Sequence, residues 1–108
     1  MTRLPPALAA SATPRILELL GEPPGRVLEL GFAGIHAVPL QLAGFEVVVV
    51  EVDPAFRERA RQRAAGVLDA VPDGPFDAVV APDGVPVPDA PIVIRVGQDG
   101  STWRSTST

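Results

Sequence analysis

The sequence predicts a single α/β domain built on a mostly parallel sheet of four to five strands, with helices mainly on one face. Three observations carry this reading. Short β-branched runs alternate with helix-like segments, which is the pattern of βαβ units. Four consecutive valines, Val47 to Val50, suit a strand buried on both faces, as parallel strands are, and lack the alternation of a half-exposed strand. At 108 residues, 46% apolar and 20% charged, the chain is too hydrophobic for wholesale disorder and too short for two ordinary domains.

Each element has a local cause. Thr13 and Pro14 read as the cap and first residue of a helix whose apolar face is Ile16, Leu17, Leu19 and Leu20, ended by Gly21. Arg26 to Leu30 reads as a strand that runs directly into Gly31, Phe32, Ala33 and Gly34. The next helix starts near Ala37 or Val38, because Pro39 is tolerated only in a first turn, and it stops at Gly44. Phe45 to Val52 holds the second strand. Asp53 and Pro54 open a helix through about Ala65, with a narrow apolar stripe of Phe56, Ala60 and Ala64, and Gly66 closes it. Phe76 to Ala81 and Ile92 to Val96 are further strands. Pro82, Pro86, Pro88 and Pro91 exclude an ordinary crossover helix between them. The domain is thus expected over residues 1–96, with residues 97–108 a polar tail that frays.

Composition excludes several functions. With no Cys and one His, disulfides, thiolate catalysis and clustered metal ligands are out. A net charge of −4 argues against nucleic acid as a main partner, and no apolar run approaches the roughly 20 residues of a membrane helix. Arg3 followed by Ala10, Ser11 and Ala12 mimics a secretory cleavage site. The apolar stretch between them is short and holds Pro5 and Pro6, so a cytoplasmic location is expected. Arg57, Arg59, Arg61 and Arg63 recur every second residue and are expected around a solvated helix face.

The most informative segment runs from Glu29 to His36 (E-L-G-F-A-G-I-H), with Glu51 at a strand end 22 positions after Glu29. In open α/β sheets ligands bind beyond the carboxyl ends of the strands. A glycine turn there lets backbone approach the ligand, and a carboxylate can accept both hydrogen bonds of a ribose diol. At these residues the chain resembles the class I S-adenosylmethionine-dependent methyltransferases, whose first motif is acid-x-Gly-x-Gly-x-Gly and whose second strand ends in a ribose-binding acid. The resemblance implies a Rossmann-like fold and an S-adenosylmethionine site formed by Glu29, Gly31, Ala33, Gly34 and Glu51, with Asp69 at the position of an adenine contact. Ile35 stands where the third glycine of the motif would be. The dehydrogenase pattern G-x-G-x-x-G fits less well, since it would put His36 at its third glycine.

Compared with that family the chain is expected to be a compact, incomplete or degenerate member. Nothing in it resembles a methyl-acceptor site. An active methyltransferase and an inactive domain serving assembly or partner binding are therefore both carried forward. With the recognisable helices on one face, the other face, taken to include Val27, Val79 and Val93, is expected to be short of cover. A homodimer or partner protein is expected against it.

Overall fold

The computed structural model describes residues 5–64 and 66–105. The element order is α1 (Pro6–Ser11), α2 (Thr13–Leu20), β1 (Arg26–Leu30), α3 (Ala37–Ala43), β2 (Glu46–Val50), α4 (Pro54–Arg61), β3 (Ala78–Pro82), β4 (Ile92–Val96) and β5 (Thr102–Ser105). One five-stranded sheet results, in the order β2-β1-β3-β4-β5. The first four strands are parallel: Val27 pairs with Val47 and with Ala78, and Ala78 pairs with Ile92. β1 connects to β2 on one side and neighbours β3 on the other, so the strand order reverses at its carboxyl end, the place where such sheets bind ligands.

The helices form as their sequences dictate. In α4 the Asp53 side chain caps the helix by accepting from the N–H groups of Ala55 (2.9 Å) and Phe56 (3.4 Å), and Pro54 occupies the first turn. α4 ends at Arg61, earlier than the sequence suggested; Ala65 lies outside the described residues. α3 places Pro39 in its first turn and ends on Gly44 in the left-handed region. Thr13 does not cap α2. The cap is Ala12, and the Thr13 hydroxyl turns inward to bond His36 Nδ1 at 2.7 Å. α1 went unread in the sequence. Its Ala9 and the following Ala12 are only 2% and 3% exposed and pack in the core, while Ala10 and Ser11 between them are exposed.

Alternation along the parallel strands sorts the core into two faces. Val27, Ala78, Val80, Ile94 and Val96 pack with Ile16, Leu20 and Leu40 of the helices, while Val49 packs with Ala37, Ala60 and Ala64. Leu28, Leu30, Val50, Val79 and Ala81 form the opposite face with Phe76 and Ala90, and Val87 packs against them. Two expectations change here. Val27 lies on the helical face, and Val79 and Val93 are 0% and 3% exposed within the single chain. The bare apolar face that motivated a dimer or partner is therefore absent among the described residues, because the extended segments 69–77 and 83–91 supply cover where helices were missed.

The expected fraying tail also forms structure. Thr102–Ser105 pairs antiparallel with β4, Trp103 opposite Arg95 and Thr102 opposite Val96. The cause is the Asp99-Gly100 pair: Asp99 Oδ1 accepts from the Ser101 N–H (2.9 Å) and hydroxyl (2.6 Å), while Gly100 takes φ 84°. Residues 106–108 of that tail lie outside the described residues. Beside β2 the chain forms one parallel bridge, Val50 to Leu68, in place of a full outer strand. No helix among the described residues is long and apolar enough to cross a membrane.

Candidate functional site

The site forms where β1 ends. Gly31 (φ 75°), Ala33 (φ 52°) and Gly34 (φ 76°) put three left-handed residues into a four-residue turn. Gly31 is favoured twice over: besides its φ, a Cβ there would lie 3.0 Å and 3.1 Å from Pro82 Cδ and Cγ, so that Pro82 would have to give by a few tenths of an ångström. Gly34 faces Ala60 with ordinary clearance, so only its φ selects glycine. Ala33 holds its conformation without that freedom. The turn is held from outside by Arg63, whose Nη1 donates to the Ala33 carbonyl at 2.9 Å.

Two buried carboxylates hold it from below. Glu51 is 2% exposed, and its Oε2 accepts the Ala33 N–H at 3.2 Å. Glu29 is fully buried, and its Oε2 accepts the His36 N–H at 3.3 Å, while Oε1 has no partner among the described residues. Burial pushes the Glu29 carboxyl up to about 8; the nearby Glu51 charge adds to the rise, whereas the His36 N–H and Arg63 oppose it. His36 is also fully buried, edge-on to Phe32 with ring centroids 4.8 Å apart, and its Nε2 is without a partner among the described residues. Burial pulls its imidazole down to about 4, so it is neutral at neutral pH.

Above the turn opens a cleft of about 410 Å³, within the range of small-molecule sites. Gly31, Ala33 and Ile35 form its turn side, Glu51 and Val52 its β2 side, Phe56, Arg59 and Arg63 its α4 side, and Val71, Pro82, Val85 and Pro86 its extended-segment side. The sequence-predicted residues divide accordingly. Gly31, Ala33 and Glu51 line the cleft, whereas Glu29 and Gly34 shape the turn without lining it. Asp69 is exposed and does not line it, although Val71, two residues on, does.

Sequence reasoning missed the α4 contribution. Phe56 and Arg59 sit i, i+3 on α4, and Arg63, in the turn just beyond its end, lines the same cleft, while Ala60 and Ala64 turn into the core. Two of the four arginines expected on a solvated face therefore line the cleft. A third, Arg57, closes the end of β2 by donating Nε to the Glu51 carbonyl (3.0 Å) and Nη2 to that of Val52 (2.9 Å). The missed signal was that every second arginine of the run, Arg59 and Arg63, recurs at i, i+4 and falls three and seven residues after Phe56. No group of His, Asp and Glu suited to a metal occurs among the described residues.

Fold and site together define a Rossmann-like α/β domain with a glycine-turn cleft at its strand reversal. Among solved structures the chain is similar to a protein of Methanococcus maripaludis described as a candidate S-adenosyl-L-methionine-dependent methyltransferase, at a TM-score of 0.66 and 14% identity. The match covers 87% of this chain and 57% of that one, so the chain spans little more than half its neighbour's length. This likeness shows that the two chains share a Rossmann-like α/β fold. No family model matches the sequence, and no curated protein matches it.

Proposed function

We propose that the cleft binds S-adenosylmethionine, or the S-adenosylhomocysteine left after methyl transfer, in a methyltransferase-like domain. One observation carries the reading: the Glu51 carboxylate and the Gly31–Ala33 backbone, distant in sequence, meet side by side at one cleft at the strand reversal. The residues present fit the group. Glu51 brings a carboxylate to the cleft where a ribose hydroxyl would lie, Val52, Phe56 and Val71 give apolar surface for a nucleobase, and Gly31 lets backbone approach closely. Bound there, S-adenosylmethionine would supply an electrophilic methyl group for in-line displacement. Glu51 would orient the nucleoside, and Arg63 would keep the turn in register by holding the Ala33 carbonyl.

A second reading, a domain that keeps this fold for assembly or partner binding without chemistry, draws on the lining itself. Glu51 is its only carboxylate among the described residues, and His36 is sealed beneath it. Titration calorimetry with S-adenosylhomocysteine separates the two. Binding by the wild type supports the nucleoside reading, and its absence favours assembly. Glu51→Gln keeps an acceptor for Ala33 but removes the charge, so binding should weaken about 10- to 100-fold, the cost of a lost charged hydrogen bond. Unchanged affinity in a folded variant would remove Glu51 from ribose recognition.

A further inference from the structure

The cleft runs along the carboxyl ends of the strands from β2 to β4, and its two halves differ in chemistry. The half over β2 holds Glu51, Val52, Phe56, Arg59, Arg63 and Val71, and with them every charged lining residue among those described. The half over β3 and β4 is built by Pro82, Val85 and Pro86, by Gln98 just after β4, and by Pro6 and Ala9 of α1. Its walls are fixed. Arg95 Nη1 donates to the carbonyls of Pro82 (3.0 Å) and Val85 (2.6 Å), and Ala9 packs in the core with Ile94 and Val96 of β4. Leu8 of α1 lies so close to the β4–β5 turn that a Cβ on Gly100 would come within 2.8 Å of its Cδ1. Among the described residues this half holds no side chain that takes up a proton near neutral pH. Gln98 carries an amide, Glu29 and His36 are sealed below the turn, and Asp83 is exposed and outside the lining.

We propose that the half of the cleft over β3 and β4 takes the methyl acceptor, and that this acceptor is a small apolar thiol reacting as its thiolate. The inference rests on the nucleoside reading above, which puts the donor over β2 and the turn. Without a base in the wall, the acceptor must arrive already able to attack. Hydroxyl groups and aliphatic amines are protonated at neutral pH, whereas a thiol ionising at about 8.5 supplies a small fraction of strongly nucleophilic thiolate. Its sulfur lone pair forms the new S–CH3 bond as the sulfonium S–CH3 bond breaks, and the pair of the broken bond stays on the donor sulfur, giving S-adenosylhomocysteine. The thiol proton has already passed to water. An anionic and a cationic sulfur thus become two neutral thioethers, and an apolar wall favours a step in which charge disappears. A carboxylate is also ionised at neutral pH, but it is strongly hydrated, and this half of the lining holds no cation to pair with it.

Benzenethiol, phenol, aniline and benzoate present one ring with four different nucleophiles. Each is incubated at neutral pH with S-adenosylmethionine and the protein, and methylated product is measured above a protein-free control. Affinity for S-adenosylhomocysteine is measured in parallel by calorimetry. Benzenethiol should be methylated about tenfold or more faster than the other three. Pro6→Asp sets a carboxylate on the wall at an exposed position in the first turn of α1, where an acid is tolerated. It should slow thiol methylation about tenfold by repelling the thiolate and leave S-adenosylhomocysteine affinity unchanged. Val85→Asp, at a half-buried position of the wall after β3, should do the same. Suppose S-adenosylhomocysteine binds but no thiol is methylated, or another of the four is methylated as fast, or both variants match wild type. Any of these overturns the thiol site and leaves the nucleoside reading standing. Failure of S-adenosylhomocysteine to bind overturns the nucleoside reading and the inference with it.

Discussion

The stability of this domain should fall as pH rises from 6.5 to 8, the reverse of what paired surface carboxylates produce. Two buried groups set the profile. Glu29 ionises near 4.5 when unfolded but near 8 when folded, so between those values the native state holds one proton more than the unfolded state. Its contribution is fully present below pH 4.5 and is lost as pH rises toward 8. His36 behaves oppositely: it protonates near 6.5 unfolded and near 4 folded, so its contribution is complete above 6.5 and is lost as pH falls toward 4. Between 4.5 and 6.5 the two proton differences cancel and stability should be flat. Above 6.5 only Glu29 acts. One proton changes stability by about 1.4 kcal/mol per pH unit, so the fall to pH 8 is about 2 kcal/mol at most.

Urea unfolding followed by circular dichroism at constant ionic strength, from pH 4 to 9, measures this directly. Glu29→Gln retains a carbonyl oxygen for the His36 N–H and cannot ionise. In that variant the decline above pH 6.5 should vanish, and the rise from pH 4 to 6.5 due to His36 should be uncovered. Titrations common to both proteins cancel in the difference between their curves. A wild-type curve level from pH 6.5 to 8, or a variant that keeps the decline, would refute a buried, proton-holding Glu29.

Three further outcomes are expected from equilibrium unfolding. Gly31→Ala should cost about 1–3 kcal/mol, more than Gly66→Ala, because both have positive φ (75° and 70°) but only Gly31 would drive a methyl into Pro82. Equal costs would show that Pro82 yields. Thr13→Val should destabilise by about 1–3 kcal/mol, since it leaves buried His36 Nδ1 without its 2.7 Å partner; a neutral effect would mean that water replaces the hydroxyl. Asp53→Ala should cost about 1 kcal/mol by removing the α4 cap, and Asp53→Asn should recover most of it.

Much of the fold was legible because its signals are local. Arg26–Leu30 and Ile92–Val96 are bounded by glycine and proline, and Pro39 and Gly44 fix α3 within its bounds. What was lost depended on partners far along the chain. Thr13 has the composition of a cap and the sequence position of one, yet His36, 23 residues away, takes its hydroxyl. The site followed the same division. Gly31, Ala33 and Glu51 could be read from a strand-turn-strand frame, whereas Arg59 and Arg63 reach the cleft through the rotation of α4. That rotation is set by Ala60 and Ala64 packing on Val49 and Ala37. β5 was a different failure, since Asp99-Gly100 is a local hairpin signal inside a stretch taken as a polar tail.

The second sheet face shows how a short chain can close a parallel sheet without a second helical layer. Residues 69–77 and 83–91 each give nine residues between the preceding pairing and the next strand. The first bends at 69–70 and the second turns at Asp83–Gly84, which leaves seven residues to cross in each. Seven extended residues reach about 23 Å, against about 10 Å for a helix of that length, so one pass can span several strands. Such a pass brings few large side chains, and Phe76, Val87 and Ala90 are those that meet the sheet. Proline lowers the entropy cost of holding them extended, and the second segment contains Pro86, Pro88 and Pro91. The same segments supply Val71, Val85 and Pro86 to the cleft. Cover for the core and one wall of the cleft are thus a single structure, so a substitution that loosens either segment from the sheet also displaces the cleft wall.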